Sequence, residues 1–274
     1  MTTGDETAAV TGEGPSWLAR LIALEADGDA FLAPRSNEAT PEGRLFGGLI
    51  AAQALAAAAA TVPDRAKRPH SMHCYFVRGG RYDADLELVV DRTRDGRSFD
   101  TRRVSARQEG AVILEALVSF HLDEPGADSH PPAELPPLDA TEPLELHAEM
   151  STRFEMRSPA GSLAFAGPPY WIRARLPLED DPLVHACAVT FISDLGLMIA
   201  GRPPEVELRF DGGGVAASLD HAIWFHRPFR PSTWHCHTAT HRNHNGSRGL
   251  ASGAIYADDG TLVASTAQES LWRV

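Results

Sequence analysis

A run of histidines near residue 240 is the first feature of this 274-residue chain that could do chemistry. Trp234-His235-Cys236-His237 places His235 and His237 on one face of a strand, and His241 and His244 follow. Imidazoles at that spacing could hold zinc, but a metal site needs a third convergent ligand, and polar strand residues beside a loop are the simpler reading. A covalent serine mechanism finds no support. The chain contains no G-x-S-x-G elbow, the strained turn that usually exposes a nucleophilic hydroxyl. Arg78, Arg97, Arg227 and Arg248 could grip phosphates through bidentate contacts, or equally form salt bridges. Taken singly, Asp194 reads as a turn residue after an apolar helix, Ser218 as a strand hydroxyl, and Gln268 as a polar residue on an edge.

The elements that would carry these residues fall into two portions. Phe46-Gly47-Gly48 opens a helix over about 47–62, rich in alanine, which has high helix propensity and little bulk. Strand-like runs follow at 71–78, 85–91, 99–108 and 111–121, with turn signals at Gly79-Gly80 and Glu109-Gly110. Residues 122–145 carry six prolines and repeated acids without an apolar period, and should be irregular or extended. The second portion repeats the plan. Asp181-Pro182 starts a helix that is apolar on nearly every face, as only an enclosed helix can be, and Asp194-Leu195-Gly196 ends it. Strands are expected at 206–210, 217–227, 233–241, 249–257 and 261–273. Tyr75-Phe76-Val77-Arg78 aligns with Trp224-Phe225-His226-Arg227, and Gly110 and Ile113 align with Gly260 and Val263, which suggests a duplication.

Composition narrows the partners. A formal net charge of −12 argues against nucleic acid or an anionic membrane surface. Lys67 is the sole lysine among 25 basic residues, a bias that a high-GC genome explains as well as phosphate recognition does. Cys74, Cys187 and Cys236 are too few and too scattered for a disulfide framework. Met1–Gly14 lacks the basic and apolar regions of a signal peptide, and the tract Leu49–Ala60 is too short to span a bilayer. A soluble, cytoplasmic protein is expected.

Several blocks together carry a family resemblance: FGG…AQAL (46–55), HSMHCYFVRGG (70–80), RDGRSFDTRRVSARQEG (94–110), SLDHAIWFHRPF (218–229), RGL (248–250) and DGTLVASTAQESLWR (259–273). Over most of residues 17–273 the chain resembles the acyl-CoA thioesterase II enzymes. The resemblance implies an α+β fold of two tandem hotdog domains, each an antiparallel sheet wrapped around a central helix. The expected division is 15–121 for the first hotdog, 122–150 for a proline-rich linker, and 151–274 for a second hotdog carrying the active site. It also implies hydrolysis of fatty acyl-CoA with no metal or organic cofactor, by a homo-oligomer.

By the same resemblance the catalytic aspartate closes the central helix and matches Asp194 of FISDLG. The catalytic hydroxyl falls on Ser218 of SLDH and the glutamine on Gln268 of STAQE. Serine stands where threonine is common, which keeps the oxygen and loses a methyl that restrains the rotamer. Leu49 stands where the family usually shows glutamine, which puts any role of an N-terminal site in doubt. Gln53 is a candidate to line such a decayed site, with packing the favoured reading. At a helix C-terminus in apolar sequence, Asp194 should have a raised pKa, as suits a base. A hydratase would carry D-x-N-P-x-H, but the histidine position is Ile199. A non-catalytic acyl-CoA binder is the remaining alternative.

Overall fold

The computed structural model describes residues 14–35, 43–144, 148–160, 167–203 and 215–273; the strand expected at 206–210 lies outside them. After a short helix α1 (Trp17–Leu21), the first half runs β1 (Glu25–Asp27), β2 (Ala30–Ala33), α2 (Gly47–Ala60), β3 (Arg68–Phe76), β4 (Leu86–Asp95), β5 (Phe99–Gln108) and β6 (Ala111–His121). The second runs β7 (Thr141–Pro143), α3 (Ala148–Arg153), β8 (Phe154–Pro159), β9 (Tyr170–Ala174), α4 (Pro182–Ser193), α5 (Leu197–Ala200), β10 (Val215–Ser218), β11 (Asp220–Phe225), β12 (His235–Asn245), β13 (Arg248–Ala257) and β14 (Leu262–Arg273). The long strands and both central helices stand close to where the apolar patterns and turn residues put them. The short strands β1, β2 and β7–β9 were not anticipated, because runs of three to six residues give little periodicity.

The described strands join one antiparallel sheet in the order β1-β2-β4-β5-β6-β3-β11-β14-β13-β12-β9-β8-β7, with β10 also on β14. The halves meet where β3 pairs with β11, from Tyr75 opposite Asp220 to Ser71 opposite Trp224. The duplication survives in hydrogen bonds. Val77 and Arg78 N–H both donate to the Ile113 carbonyl, and His226 and Arg227 N–H both donate to that of Val263. Arg78 Nη1 donates to the Val112 carbonyl at 2.7 Å, and Arg227 Nη1 to that of Leu262 at 2.5 Å. These two arginines therefore brace equivalent turns.

Inside the sheet lie α2 and α4. Helix α4 is capped by the Asp181 carboxylate, which accepts from Leu183 and Val184 N–H. Both helices are apolar all round and buried along most of their length, and the segment Pro182–Ala200, apolar enough to cross a membrane, is mostly enclosed by the protein itself. Alanine on α2 lets the helices approach until the Cys187 thiol donates to the Ala52 carbonyl. Phe191 anchors the crossing, with the rings of Phe46 and Trp17 edge-on at 5.0 and 5.5 Å. Gly48 completes it: a Cβ there would lie 2.3 Å from the Phe191 carbonyl oxygen.

That distance yields a prediction. Gly48→Ala should lower stability by about 1–3 kcal/mol through overpacking, read as a drop in denaturation midpoint. An unchanged midpoint would show that the helix crossing has slack.

Candidate active site

Asp194 closes α4 as its C-cap residue. Gln268 lies on the inward face of β14, and Ser218 ends β10. Between Ser218, opposite Ser270, and Ala222, opposite Ala267, the chain spends four residues against three on β14, which marks a bulge at Leu219. The Asp220 carboxylate pins it by accepting from Glu269 N–H at 2.7 Å. From these three elements the side chains converge. Gln268 Nε2 donates to Asp194 Oδ1 at 2.5 Å and approaches Ser218 Oγ at 3.1 Å, and the Ser218 hydroxyl donates to Asp194 Oδ1 at 3.3 Å.

Electrostatics follow from burial. Asp194 is 7% exposed and Gln268 fully buried. Loss of hydration pushes the Asp194 carboxyl up to about 6, against hydrogen bonds from Gln268, the Gly48 N–H and Ser218 that favour the anion. The Gly48 contribution was missed from sequence, because a backbone donor leaves no side-chain signature. It comes from the first turn of α2, so the first half supplies the positive end of a helix dipole to a carboxylate in the second. Gly47 lies as close: a Cβ there would sit 2.7 Å from Asp194 Oδ2. The FGG block thus makes room for the carboxylate as well as for α4.

The equivalent place in the first half is built differently. Thr61 closes α2 where Asp194 closes α4. Val118, opposite Arg102 on β5, takes the register position that Gln268, opposite Ala251 on β13, holds in the second half. Arg102 fills the space, fully buried, donating to Thr61 Oγ1 at 2.7 Å, to the Thr61 carbonyl at 3.1 Å and to Asp95 at 2.5 Å. The carboxylate on this guanidinium, Asp95, is half-exposed and paired, unlike the buried Asp194. Gln53 packs, its Nε2 donating to the Leu21 carbonyl at 2.9 Å.

The other candidates separate. His235, His237, His241 and His244 each use Nδ1 on a different partner: the Thr233 carbonyl, the Tyr170 hydroxyl, the Ala200 carbonyl and the Gly201 carbonyl. Among the described residues no three His, Cys, Asp or Glu side chains are grouped to hold a metal. Arg227 pairs with Asp128 and Arg248 with Glu269, while Arg97 is exposed. Ile199 is buried on α5, so the hydratase histidine has no counterpart at that position.

Comparison with known proteins agrees with this architecture. Residues 36–121 match the family model described as acyl-CoA thioesterase N-terminal domain, and residues 131–272 the model described as acyl-CoA thioesterase C-terminal domain. The chain is 35% identical to human acyl-coenzyme A thioesterase 8 over 267 residues, covering 85% of this chain and 82% of the relative. It is 31% identical to acyl-CoA thioesterase 2 of Haemophilus influenzae, covering 84% and 88%. The crystal structure of the acyl-CoA thioesterase II TesB2 from Mycobacterium marinum superposes with a TM-score of 0.76 at 33% identity, over 93% of this chain and 96% of that one. With both halves matched in order and relatives aligned across nearly the whole length, the chain belongs to the acyl-CoA thioesterase II family, with its double hotdog fold.

Proposed function

We propose that this chain hydrolyses fatty acyl-CoA to a free fatty acid and CoA, by attack of a water that Asp194, Ser218 and Gln268 hold. The observation that carries this reading is the mutual hydrogen bonding of those three side chains, two of them, Asp194 and Gln268, buried. Asp194, at about 6, is largely ionised at neutral pH and still basic enough to take a proton from water as it attacks the thioester carbonyl carbon. Gln268 Oε1 is buried and without a partner among the described residues, and can accept the water's other hydrogen. The N-terminal turn of α2 favours negative charge where the carbonyl oxygen becomes an oxyanion. Collapse of the tetrahedral intermediate breaks the carbon–sulfur bond, and the proton held by Asp194 passes to the departing thiolate.

Incubation with acyl-CoAs of short, medium and long chains, followed with a thiol reagent, should release CoA; no release from any of them would favour a binding protein. Asp194→Ala should cut kcat by roughly 10²- to 10⁴-fold in a protein that still folds. Activity within a few-fold of the parent would remove Asp194 from the mechanism. The pH profile of kcat/KM should fall on the acid side with a midpoint near 6, where Asp194 takes up its proton. An acid limb near 4 would mean that the base is an ordinary exposed carboxylate.

The same shift bears on stability. Because the folded value lies above the unfolded one, the native state binds more protons, so stability falls as pH rises from about 4 to about 6. Above that window the buried anion costs up to about 3 kcal/mol. Asp194→Asn, which removes the charge and keeps the acceptor for Gln268, should therefore be inactive yet more stable than the parent at pH 7.5, by about 1–3 kcal/mol. The gain should shrink as pH drops toward 4. Equal denaturation midpoints at both pH values would contradict the raised value.

A further inference from the structure

Behind the three proposed catalytic groups lies a second layer that the hydrolysis scheme does not use. His221 on β11 is 2% exposed, with Nε2 2.8 Å from Ser193 Oγ and Nδ1 3.4 Å from Gln268 Nε2. Ser193 has one hydroxyl hydrogen, and the Thr190 carbonyl accepts it at 2.9 Å. The serine oxygen is then an acceptor toward the ring, so the imidazole proton sits on Nε2 and Nδ1 presents a bare lone pair. Burial pushes the ring down to about 4, which keeps it neutral across the working range.

A neutral Nδ1 acceptor has a consequence for Gln268. The amide nitrogen has two hydrogens, and Asp194 Oδ1, Ser218 Oγ and His221 Nδ1 all offer acceptors on its side. Turning the amide over would bring its oxygen against the carboxylate and the imidazole lone pair together. The opposite tautomer of His221 would welcome that turned amide. The ring's proton position therefore either reinforces or opposes the carboxylate's own preference for Nε2 on its side.

We infer that His221 is a positioning residue for hydrolysis: held in its Nε2–H tautomer by Ser193, it fixes the Gln268 amide so that Nε2 faces Asp194 and Oε1 is left to receive the water. It rests on the thioesterase reading above, and it adds Ser193 and the Thr190 carbonyl to the chain of groups that aim the water.

Kinetics and spectroscopy test it separately. His221→Leu should lose about 10- to 100-fold in kcat with KM little changed, the range usual for an orienting outer partner. Its acid limb should move to higher pH, because the Gln268 bond that favours the Asp194 anion is loosened. His221→Asn, whose side-chain oxygen can replace Nδ1 as acceptor, should recover most of the rate and return the limb toward its parent position. A merely structural histidine would leave the limb where it was.

The tautomer is read on the unmodified protein by long-range ¹H–¹⁵N correlation of labelled histidines, the His221 signals being those missing from His221→Asn. They should report a protonated Nε2 and a bare Nδ1, and Ser193→Ala should mix the two tautomers. A protonated Nδ1 in the parent, or a His221→Leu variant with parental kcat and acid limb, overturns the inference. If His221→Leu does not fold, the asparagine variant and the tautomer decide. If the parent releases no CoA from any acyl-CoA, the hydrolytic reading falls and takes the positioning role with it, whatever the tautomer.

Discussion

A carboxylate enclosed by protein is the constraint from which most of the rest follows. Asp194 could simply have been neutralised by burial. It is instead met by donors from three separate places: the last strand through Gln268, the bulged strand through Ser218, and the first turn of the other half's helix through Gly48. Their combined effect leaves the group poised instead of suppressed. Each donor depends on an element whose placement is set by ordinary packing, so the apolar helices, the Leu219 bulge and the alanine-lined crossing all bear on one proton equilibrium.

Duplication gave the protein two copies of the plan, and the copies have parted at one spot. The space under Asp194 holds a glutamine and a histidine; the corresponding space under Thr61 holds the Arg102 guanidinium. That arginine and the buried Lys67–Asp100 pair at 2.7 Å place ionic contacts in the first half where the second carries the proposed base. A buried ionic network of this kind adds little net stability over apolar packing, but it is costly to break. In the proposed scheme the first half contributes scaffold and one backbone donor.

Much of this was legible in the sequence, unevenly and for physical reasons. Helices α2 and α4 announced themselves through continuous apolar character, and the long strands through alternation and turn glycines. Strand β8 carried a period-two pattern too, with Phe154, Met156 and Ser158 buried, but over only six residues. Asp194, Ser218 and Gln268 were visible only as members of family blocks, because a turn aspartate, a strand serine and an edge glutamine are each commonplace alone. Gly48 acts through its backbone, and the Ser193–His221 contact links positions 28 apart whose pairing depends on how α4 lies across β11. No local pattern encodes either.

The seam between β3 and β11 has one further implication. Each of these strands would be a bare sheet edge if its half stood alone, with unpaired N–H and C=O groups offered to any passing chain. Joined, they cover one another, and the covering also brings the start of α2 to the end of α4. Severing the proline-rich connector and parting the halves would thus create two aggregation-prone fragments and strip the carboxylate of its partner's amide in the same act. Fusion into a single polypeptide keeps that partner at hand at any dilution.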